Sequence, residues 1–229
     1  HAVLLESTLG DRRPTRQGFE GPLHEELAAI LEAGGCAVLP ASSVGRAQEL
    51  AAFLADAFTN GLLPEAPVYM TPLARRVLDR YRQPDREGWL ADVRYPDVLD
   101  LGQDVDADEI VGRPGYAIAS SASALSGASR RLSFAAAQRE EAGVVFTSYS
   151  GPNARNRGRG DTLEVVEEDG RVLSTEIRCR WAWIPSPDHA NQDELARTVA
   201  HLDKAVPVLL VHGVEAAERA LADRLRAAR

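Results

Sequence analysis

The sequence predicts an α/β fold: a mainly parallel sheet with helices on both faces, joined by a small antiparallel hairpin. Three observations predict it. Strand-like and helix-like segments alternate at least four times along the 229 residues. The run 206–211 is apolar without alternation, as a strand covered on both faces is. Asp169-Gly170 separates two β-rich arms, residues 163–166 and 172–183, in the pattern of a tight hairpin turn.

Residues 2–5 are an apolar strand that runs into Glu6-Ser7-Thr8-Leu9-Gly10-Asp11-Arg12, so a carboxylate, two hydroxyls and a glycine sit at its carboxyl end. Leu23, Leu27, Ile30 and Leu31 then recur at helical spacing and Gly34-Gly35 closes the helix. Residues 36–39 are the next strand. After it, Pro40-Ala41-Ser42-Ser43-Val44-Gly45-Arg46-Ala47-Gln48-Glu49 opens a helix with a buried face of Leu50, Leu54, Ala57 and Phe58. A strand, a Ser-rich turn and a helix amino terminus together make an anion pocket, because unpaired N–H groups and the helix dipole favour phosphate or carboxylate.

Residues 66–70 predict a third strand, and Leu73, Val77, Leu78 and Tyr81 a third helix. From 83 to 115 the periodicity dissolves into prolines and acids, the composition of solvated loops and short helices, without calcium-loop spacing. Residues 116–119 resume the sheet and enter a second hydroxyl-rich turn, Ser120-Ser121-Ala122-Ser123-Ala124-Leu125-Ser126, before a helix; no GxSxG supports a hydrolase elbow. Residues 143–147 are a strand. The stretch 151–160 is Gly-rich and carries Arg155, Arg157 and Arg159, as an exposed or phosphate-contacting loop would.

Near the carboxyl end two histidines take chemically loaded positions. Asn191 is a good N-cap for a helix whose stripe is Leu195, Val199 and Leu202, which places His189 in the turn at the positive end of that helix. Residues 206–211 read as a buried strand without alternation, and His212-Gly213 stand at its carboxyl end, where ligand sites of open α/β sheets gather. An Ala- and Arg-rich helix over about 214–228 ends the chain.

Composition limits the function classes. A hydrophobic content of 45% is ample for a packed core. A net charge of −8 argues against coating nucleic acid by bulk electrostatics, so any such site must be local. Cys36 and Cys179 lack CxxC spacing and suit a reducing cytosol. No stretch reaches the length of a membrane-spanning helix, and a cytoplasmic location is expected. Met70 is the only methionine and His1 leads straight into a strand, from which a segment of a longer protein is expected.

At Glu6-Ser7-Thr8-Leu9-Gly10-Asp11-Arg12 the sequence resembles the EST(Y/F)GDR signature of the β-CASP family of metallo-β-lactamase-fold nucleases. Residues 40–49 resemble that family's P-x-F-A-x-x-R-A-Q-E segment. Residues 186–195 and 210–213 resemble its S-x-H-A-D-x-x-x-L and L-V-H-G segments. The resemblance implies a zinc-dependent ribonuclease, endonucleolytic with exonuclease activity alongside, using two zinc ions and a bridging hydroxide in a cleft between two domains. It implies that Glu6 orients His189, that His189 stabilises or protonates the departing oxygen, and that His212 ligates zinc. Histidine at the last of these motifs is the family's RNA-processing pattern. Ser42, Ser43, Arg46, Ser121, Arg155, Arg157 and Arg159 are the implied RNA phosphate contacts. Residues 1–10 and 185–229 would belong to the lactamase-fold half and 11–184 to the β-CASP domain. The expected partners are RNA, the amino-terminal lactamase-fold half of the same chain with its H-x-H-x-D-H cluster, and a second copy in a homodimer, with no membrane.

Departures from the family pattern define a second reading. Asn191 stands where Asp is usual after the second-motif histidine, Leu9 replaces an aromatic, Ser42-Ser43 an aromatic-small pair, and Val214 a Glu. The second reading is a catalytically degenerate RNA-binding or assembly subunit with the same fold. A third, from the alternation alone, is a doubly wound domain holding a small phosphorylated ligand, although neither GxGxxG nor GxxxxGK[ST] occurs.

Overall fold

The computed structural model describes residues 2–14, 16–83, 93–102, 105–148, 156–167, 169–186 and 189–228. The chain divides into two compact units, His1–Phe19 with Ser186–Arg229, and Glu20–Pro185.

The larger unit is a six-stranded sheet with strands β2 (Cys36–Pro40), β3 (Val68–Met70), β4 (Val98–Asp100), β5 (Gly115–Ala119), β6 (Gly143–Phe146) and β9 (Arg180–Trp183). Their spatial order is β4-β3-β5-β2-β6-β9, and every neighbouring pair is parallel. Helices cover both faces. Gly143 lies against α1 (Arg16–Glu32), where an added Cβ would stand 2.2 Å from the Ile30 side chain, and Phe58 of α2 (Arg46–Thr59) packs on Tyr116, ring centroids 5.5 Å apart. The opposite face, with Cys36, Val38, Ala117, Ala119, Val144 and Phe146, packs on α4 (Ala107–Val111) and α5 (Gly127–Ala137). This is why β2, β5 and β6 are wholly buried and read as continuous apolar runs.

Three expectations are corrected here. The aperiodic stretch before Gly115 contains the short edge strand β4 as well as α4; three residues framed by Pro96 and acids are too few to show a period. The arm 172–183 is not one hairpin strand. Only β8 (Val172–Glu176) pairs antiparallel with β7 (Thr162–Val166), while β9 leaves the hairpin and joins the main sheet parallel to β6. In α3 (Pro72–Tyr81) the buried residues are Ala74 and Leu78, whereas Leu73 is exposed.

The smaller unit pairs β1 (Val3–Glu6) with β10 (Val208–Val211) in parallel, Leu5 opposite Leu210 and Glu6 opposite Val211. One face packs Leu5 on Leu195, Ala196 and Val199 of α6 (Gln192–Val199) and on Leu221 and Leu225 of α7 (Glu215–Ala228). On the other face Leu4, Leu209 and Val211 are 70%, 52% and 41% exposed. β10 therefore alternates, contrary to the uniformly buried strand expected from its composition, because helices cover only one side of this two-stranded sheet.

Candidate metal centre

The parallel register that sets Glu6 beside Val211 brings the two segments leaving β1 and β10 side by side. The Ser7 hydroxyl donates to the Val211 carbonyl at 2.8 Å, and the Thr8 hydroxyl donates to the His212 carbonyl at 2.6 Å. His212 takes a left-handed conformation, φ 58°, which histidine tolerates better than bulkier or β-branched residues. Gly213 follows because nothing larger fits: a Cβ there would lie 2.6 Å from Ser7 Oγ and 2.8 Å from its carbonyl oxygen.

The third side chain comes from the turn before α6. Asn191 caps that helix, its side-chain oxygen accepting from the N–H groups of Asp193 and Glu194, while Glu194 accepts from the Asn191 N–H. This reciprocal cap satisfies orphan donors of the first turn. The turn is tied to the segment after β1, since Gln192 donates to the carbonyls of Gly10 and Arg12 through its side chain and its N–H, at 2.7 and 3.1 Å. Asn191 thus supplies the capping acceptor that an aspartate would.

Glu6, His189 and His212 converge, with one ligating atom of each lying within 4.8 Å of the others. Glu6 Oε2 accepts from the Thr8 N–H at 2.8 Å and stands 3.5 Å from His189 Nδ1. The two imidazole rings are 5.4 Å apart, tilted by 54°. All three are partly open to solvent. The donor types suit zinc, which takes imidazole nitrogen and carboxylate oxygen at about 2.0–2.2 Å; Glu6 and His189 face each other at 3.5 Å, which leaves the His212 imidazole to meet a metal. Among the described residues this is the one such cluster of His, Cys, Asp and Glu.

Thr8 adds a constraint that the sequence reading, which noted only two hydroxyls at the end of the first strand, missed. Its single hydroxyl proton goes to the His212 carbonyl, and its oxygen lies 3.3 Å from His212 Nδ1. Toward that nitrogen it can only accept, which sets the proton on Nδ1 and leaves the Nε2 lone pair for a metal. The available signal was a hydroxyl two residues from the motif carboxylate.

The sequence-predicted phosphate contacts lie apart from this cluster in the chain and do not form one group. Ser43 bonds the Ser120 hydroxyl at 2.5 Å. Ser42 donates to the Val44 carbonyl within its own turn, and Ser121 meets the hydroxyls of Ser123 and Ser126. Arg46, its side chain 9% exposed, pairs with Glu49 at 2.7 Å; burial pulls its pKa down while Glu49 pushes it up. Arg157 donates to the Thr162 carbonyl and Arg159 pairs with Glu140 at 3.3 Å. Arg155 lies outside the described residues.

Comparison with known proteins gives one matching family model, the Zn-dependent metallo-hydrolase RNA specificity domain, over residues 174–229. Among similar proteins is a transcription termination factor FttA of Lokiarchaeum sp., 28% identical over 93% of this chain and 37% of its own length. An RNase aCSPSF2 of Saccharolobus solfataricus is 23% identical over 99% of this chain and 45% of its own length. An RNase J-like protein of Methanocaldococcus jannaschii is 34% identical over 29% of this chain and 17% of its own length. The chain thus spans less than half the length of each of these relatives.

Proposed function

We propose that this chain, similar to β-CASP proteins of the metallo-β-lactamase fold, is part of a zinc-dependent ribonuclease that hydrolyses internal RNA phosphodiester bonds, with exonucleolytic digestion as a second mode. The observation that carries this reading is the convergence of Glu6, His189 and His212 from three separate segments upon one point. The relatives named as ribonucleases support it. The smaller unit is proposed as part of the lactamase-fold half and the larger as the β-CASP domain.

In this reading zinc, when bound, supplies Lewis-acid stabilisation of phosphoryl oxygens and a nucleophilic water at neutral pH. His212 would hold it through Nε2, with the tautomer set by Thr8. Glu6, with Oε2 at 3.5 Å from His189 Nδ1, would orient that ring by facing its Nδ1–H, so that Nε2 can give a proton to the departing oxygen. Ser42, Ser43, Arg46, Ser121, Arg155, Arg157 and Arg159 are proposed contacts to backbone phosphates. A cytoplasmic location is proposed, with RNA, the amino-terminal half of its own chain and a second copy as proposed partners.

The test is cleavage and binding of single-stranded RNA by the full-length protein carrying His189→Ala. Cleavage is expected to fall by at least about a hundredfold, the scale of a lost general acid, with RNA affinity nearly unchanged. Cleavage at the unmodified rate would remove His189 from the reaction. The second reading, an RNA-binding subunit that does not cut, draws on Asn191 standing in place of the family's Asp; a degraded H-x-H-x-D-H cluster in the full-length protein would establish it over the first.

A further inference from the structure

Glu6 and His189 meet from different segments of the smaller unit, and each is continued by a strip of chain, Leu9 to Arg13 after Glu6 and Asn191 to Asp193 after His189. The two strips are joined along their length. Leu9 and Asn191 form an isolated parallel bridge, and the Gln192 N–H donates to the Arg12 carbonyl at 3.1 Å. Between these lies the Gln192 side-chain amide, with both of its ends in use. Its Nε2 donates to the Gly10 carbonyl at 2.7 Å, and its Oε1 accepts from Arg13 Nη2 at 3.0 Å and Arg13 Nε at 3.3 Å.

An amide suits this place because it carries a donor and an acceptor at one tip. A carboxylate would offer the Gly10 carbonyl no donor, and an apolar side chain would serve neither partner. The guanidinium also decides which way round the amide sits: flipped, it would set its NH2 against the Arg13 donors and its oxygen against the Gly10 carbonyl. Both partners are anchored in turn. A Cβ at Gly10 would stand 2.5 Å from the Ala217 carbonyl oxygen and 2.9 Å from Leu221 Cβ, so the strip after Glu6 is seated on α7. Arg13 pairs with Asp193 at 3.3 Å, and Asp193 pairs with Arg224 of α7 at 3.5 Å. With side chains 59% and 39% exposed, the Arg13–Asp193 pair adds little stability. What it adds is aim, since it holds the guanidinium where Oε1 can accept from it.

We propose that Gln192, keyed by Arg13, is a positioning residue: its amide fixes the turn that carries His189 against the segment that carries Glu6, and so holds the 3.5 Å approach of His189 Nδ1 to Glu6 Oε2. His212 is fixed separately, by the Ser7 and Thr8 hydroxyls on the carbonyls of Val211 and His212. Loosening Gln192 therefore disturbs the Glu6–His189 pair and spares the imidazole assigned to the metal. That the held geometry serves RNA cleavage rests on the function proposed above; that Gln192 holds it does not. Misplacing a reacting group by about 1 Å can cost about a hundredfold in rate.

The test compares Gln192→Ala with the unmodified full-length protein, alone and combined with His189→Ala, by cleavage of single-stranded RNA, by zinc per chain and by crystal structure. Gln192→Ala is expected to lower kcat by about tenfold or more, to leave KM and bound zinc unchanged, and to move His189 Nδ1 away from Glu6 Oε2. In the His189→Ala background the same substitution should change residual cleavage by under about twofold, because the ring it positions is gone. Damage to the fold at large would lower cleavage in both backgrounds alike. Arg13→Ala, at an exposed side chain, should lower kcat by less than Gln192→Ala and add nothing to it in the double variant. An undisplaced His189 in the Gln192→Ala crystal overturns the inference, as do an unchanged kcat or equal losses in the two backgrounds; with His189→Ala inactive, each of these leaves the ribonuclease reading standing. An unmodified protein that does not cleave RNA, with His189 displaced by Gln192→Ala, upholds the positioning and counts against that reading.

Discussion

The six-stranded sheet of the larger unit and the two-stranded sheet of the smaller use similarly apolar strands and bury them to different degrees. In the larger unit β2, β5 and β6 are covered on both faces, and Leu39 and Ile118 are fully buried. In the smaller unit β1 and β10 carry Leu4, Leu5, Leu209 and Leu210, yet Leu4 and Leu209 stand mostly exposed. Composition reports what a strand can bury; the number of layers packed on it decides what it does bury. The largest expected effect follows directly. Leu39→Ala should cost about 3 kcal/mol in urea unfolding of the 229-residue chain, as fully buried leucines do, while Leu209→Ala should stay within about 0.5 kcal/mol. Equal costs would mean that the outer face of the smaller sheet is covered in solution.

The same contrast explains what could be read in advance. The alternation of strands and helices, the amphipathic stripe of α1 and the Asn191 cap rest on local periodicity and capping chemistry, and the structure has all three. β4 escaped because three residues carry no period, and the separation of β8 from β9 escaped because a strand's choice of partner is not local. At the site, Glu6, His189 and His212 were legible through their positions at element ends, and the structure brings them together. Thr8 was not, because its role depends on the register of β1 against β10, a contact spanning some two hundred positions of sequence. The hydroxyl contacts of Ser120 with Ser43 and Thr71 escaped for the same reason: Ser43 and Ser120 each belonged to a recognisable Ser-rich turn, but Thr71 joins them only through the strand order.

An intermediate effect should appear at Thr8. Thr8→Val keeps the shape and removes the hydroxyl that fixes His212 with its proton on Nδ1. Zinc affinity of the full-length protein should fall by roughly tenfold, and the nitrogen chemical shifts of His212 should move toward a mixture of tautomers. An unchanged tautomer would show that Thr8 does not govern it.

The smallest effect separates the units by pH. Both cysteines lie in the larger unit, Cys36 in β2 and Cys179 just before β9, and burial pushes each thiol up to about 12 from 9.0. The folded state therefore holds protons that the unfolded chain releases above pH 9. Stability is fully present below that pH and falls as pH rises toward 12, by about 0.4 kcal/mol per thiol at pH 9 itself. Urea midpoints between pH 7.5 and 9.5 should decline for the unmodified chain and decline less for a Cys36→Ala variant. Equal slopes would contradict the assignment of that burial.

The central claim is that His212 holds metal while His189, steered by Glu6, handles a proton. Zinc per chain, measured by elemental analysis of the purified full-length protein, tests it most directly. His212→Ala is expected to lower bound zinc by about one ion per chain, with His189→Ala at the unmodified level. Undiminished zinc in the His212→Ala protein, or an equal loss in both variants, would contradict the division of roles.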